Sequence, residues 1–162
     1  MRFLKANNLF DGKNFLSADS VLVLDEQTIL TDIISENAVD KNAVEFYEGI
    51  ITPGFINTHC HLELSHLKHK IPQHTGLAKF AQHIISTRAT YSKEEILEHL
   101  SQANLEMWNN GIVAVGDISN TNDSFKEKTN SKVFYHTFIE LIGLNPKHSL
   151  EIFEKGLALL TD

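Results

Sequence analysis

Two histidines one residue apart, His59 and His61, close the stretch Ile50-Ile51-Thr52-Pro53-Gly54-Phe55-Ile56-Asn57-Thr58-His59-Cys60-His61-Leu62-Glu63. An apolar run, a Pro-Gly kink and a resumed apolar segment predict a short strand that ends in the pair. Side chains two apart in a strand share a face, with Cα atoms roughly 6.6 Å apart. Two imidazoles on one tetrahedral zinc, at about 2.0–2.1 Å each, need their ligating nitrogens only about 3.3 Å apart. A modest inward lean of both rings is enough, so His59 and His61 are candidate metal ligands. The competing reading is incidental strand decoration, because a chain with nine histidines produces such a pair by chance.

The elements that must hold the pair can be read on either side of it. Residues 1–52 carry strand and turn signals: a turn at Phe10-Asp11-Gly12-Lys13, strands at 20–24 and 28–34, and alternation again at 44–47. After the histidines, Glu63 to Thr75 is a polar connection placed at the mouth of the site. Its His66, His69 and His74 read as surface-loop residues rather than ligands, because no strand fixes them. Leu77, Phe80, Ala81, Ile84 and Ile85 give helical spacing with an apolar stripe that excludes His83, which is expected in solvent. Ser92-Lys93-Glu94-Glu95 is a capping box that opens a second helix; Ile96, Leu100, Ala103 and Met107 form its apolar face, Trp108 extends that face into the core, and Gly111 stops it. The nearly all-apolar run 112–118 then reads as a strand covered on both faces in a parallel sheet. Strand, helix and strand at this spacing make a βαβ unit. A polar segment, 120–131, holds at most a short helix. A third strand follows at 133–141, and after Pro146 a helix carries Leu150, Phe153, Leu157 and Leu160 on one side.

In parallel α/β architectures, sites gather at the carboxyl ends of strands. Glu140 is therefore a candidate substrate-binding residue, accepting hydrogen bonds from an amino or ribose hydroxyl group, with capping of the following turn as the alternative. Asp117 is expected as a turn or strand-end residue. Glu63 either orients a ligand imidazole from behind or faces solvent. Strand alternation turns Cys60 away from its histidine neighbours, as a small buried residue and not as a ligand or nucleophile.

Composition narrows the function classes. The chain has 162 residues, 42% of them hydrophobic, and a net charge of −7, enough for a real core and against a phosphate backbone as partner. An uncharged or cationic small-molecule substrate fits that charge better. The first residues lack the apolar core of a signal peptide, and no window approaches a membrane span, so cytoplasmic localisation without membrane attachment is expected. Cys60 is the only cysteine, which excludes an internal disulfide and fits a reducing compartment.

The segment Pro53-Gly54-Phe55-Ile56-Asn57-Thr58-His59-Cys60-His61-Leu62 resembles the first barrel strand of the amidohydrolase superfamily, in its cytosine deaminase and chlorohydrolase-like branch, whose pattern is P-G-F-I-(N/D)-x-H-x-H-L. The resemblance implies an α/β fold: residues 53–162 as the first three βα units of a TIM-type (β/α) barrel, preceded by residues 1–52 as part of a composite β-sandwich. It implies a divalent metal, zinc or iron, at His59 and His61, and hydrolysis of C–N bonds other than peptide bonds. Deamination of a heterocyclic or nucleoside-like molecule by metal-activated water is the reaction expected. A closed barrel has eight strands in about 250 residues. The chain is thus expected to be the N-terminal part of a longer enzyme, inactive alone, completed by a C-terminal part or an oligomer partner, with its acid/base groups beyond Asp162. The competing class is a noncatalytic α/β interaction domain with incidental histidines.

Overall fold

A computed structural model describes residues 1–143 and 145–161, leaving Leu144 and Asp162 outside. The chain divides into two compact units, Met1–Pro53 and Gly54–Asp162.

The first unit is a four-stranded sheet of β1 (Arg2–Leu9), β2 (Ser20–Leu24), β3 (Leu30–Ser35) and β4 (Val44–Ile51), in the order β3-β2-β1-β4. β2 runs antiparallel to both neighbours, whereas β4 lies parallel to β1. Alternation buries Val21 and Val23 from β2 beside Ala6 and Leu9 from β1. The Asp11 carboxylate accepts the backbone N–H groups of Lys13 and Asn14, both at 2.7 Å, around Gly12 at φ +99°. This is the expected turn. A second Asp turn, in which Asp25 accepts from Gln27 and Ile29 with Thr28 at φ +64°, takes up the residues expected to open the next strand. β3 therefore starts at Leu30. β1 had no clean sequence signal, because Asn7 and Asn8 interrupt its alternation. On the outer strands Leu30, Ile33, Phe46, Tyr47 and Ile50 stay exposed.

The second unit is built on three parallel strands in the order β5-β6-β7: β5 (Phe55–Cys60), β6 (Ile112–Ser119) and β7 (Phe134–Ile139). Between β5 and β6 run a 3₁₀ turn (Leu62–Leu67), α1 (Leu77–Arg88) and α2 (Lys93–Asn109). α3 (Phe125–Asn130) joins β6 to β7, and α4 (Ser149–Leu159) follows. The capping box forms as expected: Glu95 N–H donates to Ser92 Oγ, and Ser92 N–H to the Glu95 carboxylate. Gly111, at φ +80°, ends α2 in the left-handed conformation its missing Cβ permits. α2 packs Ile96 and Leu100 against Leu62 and Leu67 of the 3₁₀ turn, with Val115 and Val133 completing the core.

Two apolar helix faces stay open, and one expected core residue is corrected. α1 forms, but its apolar stripe is not a core face: Leu77 is 83% exposed and Ile85 73%. On α4 the side carrying Leu150, Phe153, Leu157 and Leu160 faces outward, and Gly156 is buried instead, where an added Cβ would lie 2.3 Å from Leu141 Cδ2. α4 thus meets Leu141, just past β7, at the residue with no side chain. Trp108 is 39% exposed, with Lys132 Nζ 5.5 Å from its ring centre, so it is a cation-covered surface residue and not core.

Candidate metal centre

β5 delivers the two histidines together. The ring centres of His59 and His61 lie 5.3 Å apart at an interplanar angle of 62°. Two imidazoles on one tetrahedral zinc have ring centres about 5.2 Å apart, from metal–nitrogen distances of 2.0–2.1 Å. His61 Nδ1 is buried with no hydrogen-bond partner, a polar atom that costs about 1–3 kcal/mol if left so. Both observations fit a divalent cation held by this pair. Among the described residues no third His, Cys, Asp or Glu joins them in a group able to hold a metal.

The sheet fixes the pair through close contacts. An added Cβ on Gly116 would come 2.8 Å from the backbone oxygen of Thr58, so only glycine lets β6 approach the residue preceding His59 this closely. Asp117, fully buried in β6, accepts the backbone N–H of Leu62 at 2.7 Å and thereby pins the residue after His61. Its charge is met by Lys128, which is 6% exposed and also donates to Ser119 Oγ at 2.9 Å and Thr137 Oγ1 at 3.1 Å. Asp117 is thus a buried ion-pair member inside a strand, correcting its expected place in a turn or at a strand end. Cys60 pairs in register with Asp117, and its thiol is pushed up to about 12 by burial first and by the Asp117 charge second. Such a thiol is not poised as a nucleophile at neutral pH.

Glu63 neither faces solvent nor supports an imidazole; both expectations are corrected. It is fully buried and takes four hydrogen bonds, from the end of α1 and from the segment after β6. Arg88 Nη1 donates to Oε1 at 3.1 Å, while Oε2 accepts Asn120 N–H at 3.2 Å, Thr121 N–H at 2.9 Å and Thr121 Oγ1 at 2.8 Å. The Arg88 guanidinium also reaches Asp123 at 3.1 Å. Glu140, directly after β7, takes the Asn120 side-chain amide on its backbone oxygen at 2.9 Å and on its carboxylate at 3.2 Å. It lines a cleft of about 530 Å³ with Arg88, Asn120 and Ile152. Two strand spacings, about 10 Å, separate its strand from that of the histidines.

Of the loop histidines, His66 is corrected. It sits in the 3₁₀ turn, 2% exposed, with its ring 5.1 Å from that of Tyr91 and neither nitrogen hydrogen-bonded. His69 and His74 are exposed, and His83 is half-buried rather than free in solvent. The sequence reading missed Arg88, Asn120 and Thr121. Their signal was the polar run Asn120-Thr121-Asn122-Asp123 directly behind an apolar strand, opposite an acid directly behind the histidine pair.

No family profile and no curated protein matches the chain. Solved structures do. The aminofutalosine deaminase of Helicobacter pylori in complex with methylthio-coformycin superposes with a TM-score of 0.75 at 21% identity, over 100% of this chain and 41% of that one. The atrazine chlorohydrolase TrzN of Arthrobacter aurescens TC1, complexed with zinc, gives 0.65 at 16% identity, over 100% and 43%. A zinc-bound adenosine deaminase of Xanthomonas campestris gives 0.51 at 14%, over 71% and 28%. These neighbours are amidohydrolase-superfamily deaminases and a chlorohydrolase, the branch that the Pro53–Leu62 motif resembles. The likeness establishes a shared mixed α/β fold, and the chain spans well under half the length of each neighbour. No helix among the described residues is long and apolar enough to cross a membrane.

Proposed function

We propose that this chain is the N-terminal part of an amidohydrolase-like metal-dependent hydrolase acting on C–N bonds other than peptide bonds, through deamination of a heterocyclic or nucleoside-like substrate. The observation that carries the reading is the His59–His61 pair, 5.3 Å between ring centres at the carboxyl end of a parallel strand. Zinc in two neighbouring structures supports a divalent metal, zinc or iron, at these residues. Methylthio-coformycin in a third supports a nucleoside-like substrate class. The metal, when bound, supplies an activated water near neutral pH. This chain's own residues hold and orient: His59 and His61 supply two ring nitrogens, Asp117 and Gly116 fix the backbone on either side of them, and Glu140 accepts hydrogen bonds from the substrate.

Under this reading residues 53–162 form the first three βα units of a (β/α) barrel and residues 1–52 belong to a composite β-sandwich. The uncovered Phe55, Ile56, Phe134 and Phe138 support a covering partner, either the remaining barrel strands or an oligomer partner. The same exposure is what favours the second reading, a noncatalytic interaction domain.

Metal titration separates the two. In ¹⁵N spectra of the histidine rings, substoichiometric Zn²⁺ should shift His59 and His61 together and first, and His59→Ala or His61→Ala should abolish the shift of the other. Even catalytic zinc usually keeps three protein ligands. Residues 1–162 alone should therefore retain little metal after dialysis and release no ammonia from aminopurines, pyrimidines or triazines. Preferential shifts at His69 or His74 would remove the assignment; turnover by the isolated chain would overturn the expectation of inactivity.

A further inference from the structure

The buried carboxylate of Glu63 ties together three strand ends. It follows β5, its acceptors are filled by the backbone that follows β6, and that backbone carries the side chain holding the residue that follows β7. Each link is direct: Thr121 N–H to Glu63 at 2.9 Å, Asn120 N–H to Glu63 at 3.2 Å, and Asn120 Nδ2 to the Glu140 carboxylate at 3.2 Å and carbonyl at 2.9 Å. Arg88 completes the arrangement from the last turn of α1. It is 24% exposed, against none for Glu63, and its fork spans Glu63 at 3.1 Å, Thr121 Oγ1 at 3.2 Å and Asp123 at 3.1 Å.

We infer that Glu63, held by Arg88, is a positioning residue for Glu140, acting through Asn120. The inference deepens the functional reading above and rests on it for what Glu140 does. Its physical basis is three donors of one segment on a single oxygen. Asn120 N–H, Thr121 N–H and Thr121 Oγ1 all meet Oε2 of a fully buried carboxylate whose Oε1 is held by Arg88, so the Asn120–Thr121 backbone has a fixed place relative to β5. The Asn120 side chain leaves that fixed backbone and bonds both the main chain and the side chain of Glu140, which restricts the Glu140 rotamer. Glu140 would otherwise be an acid on a loop, with rotamer freedom to lose on binding. Holding it in advance lowers that cost.

The test uses the whole chain with ¹³C-labelled glutamate and ¹⁵N-labelled backbone and asparagine side chains, with the Glu140 carboxyl signal assigned from Glu140→Gln. Glu63→Gln puts an N–H₂ group among donors. It should speed hydrogen exchange at the Thr121 amide about tenfold or more, move the Asn120 side-chain amide signals and displace the Glu140 carboxyl signal. Asn120→Ala should displace the Glu140 signal equally while Thr121 stays protected. The two together should displace Glu140 no further than either alone. Arg88→Lys, which keeps the charge and loses the fork, should give a partial displacement and stands in if Glu63→Gln does not fold. Glu140 and Asn120 signals that remain at their original positions in folded Glu63→Gln would overturn the inference. So would an unmoved Glu140 signal in Asn120→Ala. None of these signals needs a metal, so failure of the zinc titration removes the metal assignment and leaves this result readable.

Discussion

Asp117 and Lys128 offer the sharpest energetic test of how the second unit is held. Asp117 is fully buried and Lys128 is 6% exposed, so removing either charge strands the other out of water. Breaking a buried pair from one side typically costs about 3–5 kcal/mol. Asp117→Asn retains an oxygen able to accept Leu62 N–H, now at 2.7 Å, so its cost leaves that bond out and combines the lost charge with the Ser119 Oγ bond to Oδ2. Lys128→Met should cost a similar amount from the other side, with loss of its bonds to Ser119 and Thr137 included. The double variant has no stranded charge and keeps the Leu62 bond, so it should fall only about 1–2 kcal/mol below the original. Urea unfolding of all four proteins closes the cycle, with a coupling of about 3 kcal/mol or more. At 2–4 °C per kcal/mol for a chain of this size, each single variant should melt roughly 6–20 °C lower. Additive single effects below about 1 kcal/mol would refute the claim that the charges are buried against each other.

Gly116→Ala should cost about 1–3 kcal/mol, because its Cβ meets the Thr58 backbone at 2.8 Å and not a yielding side chain; chemical-shift changes confined away from Thr58 and His59 would contradict this. His66 is held below its ordinary value of 6.5, first by burial and then by the charges of Arg88 and His99. The unfolded chain therefore takes up that proton at higher pH, so stability is full above about pH 6.5 and falls as pH drops toward the lowered folded value. His66→Leu should flatten that acid limb in urea midpoints measured from pH 7.5 to 5, and an unchanged slope would count against it.

Local rules found the elements whose signals are local. Ser92 and Glu95 lie three residues apart and Gly111 ends the helix they open, so sequence alone bounded α2. The histidine pair was legible for the same reason, since strand alternation acts over two residues. Asp117 was not: an acid inside an apolar run reads as the end of a strand unless the cation eleven residues later is known to fold back over it. Glu63 has its acceptors filled from 25 to 58 residues away, beyond any pattern that periodicity can carry. In α4 the apolar side was legible, but not which side packs. Apolar size drew attention to Leu150, Phe153, Leu157 and Leu160, while the packed face is decided by Gly156.

The register of the parallel sheet also sets an order of events. Phe55 pairs with Ile112 across 57 residues, whereas Ala114 pairs with Phe134 across only 20. Closing the longer loop costs about 0.9 kcal/mol more chain entropy, and its contacts come only after that cost is met. β6 and β7 should therefore zip together early in refolding, with β5 added late. Substitutions at Ala114 or Tyr135 would then slow refolding, while those at Ile56 would chiefly speed unfolding. The two imidazoles, carried on the last strand to arrive, come into place only once the rest of the sheet already exists.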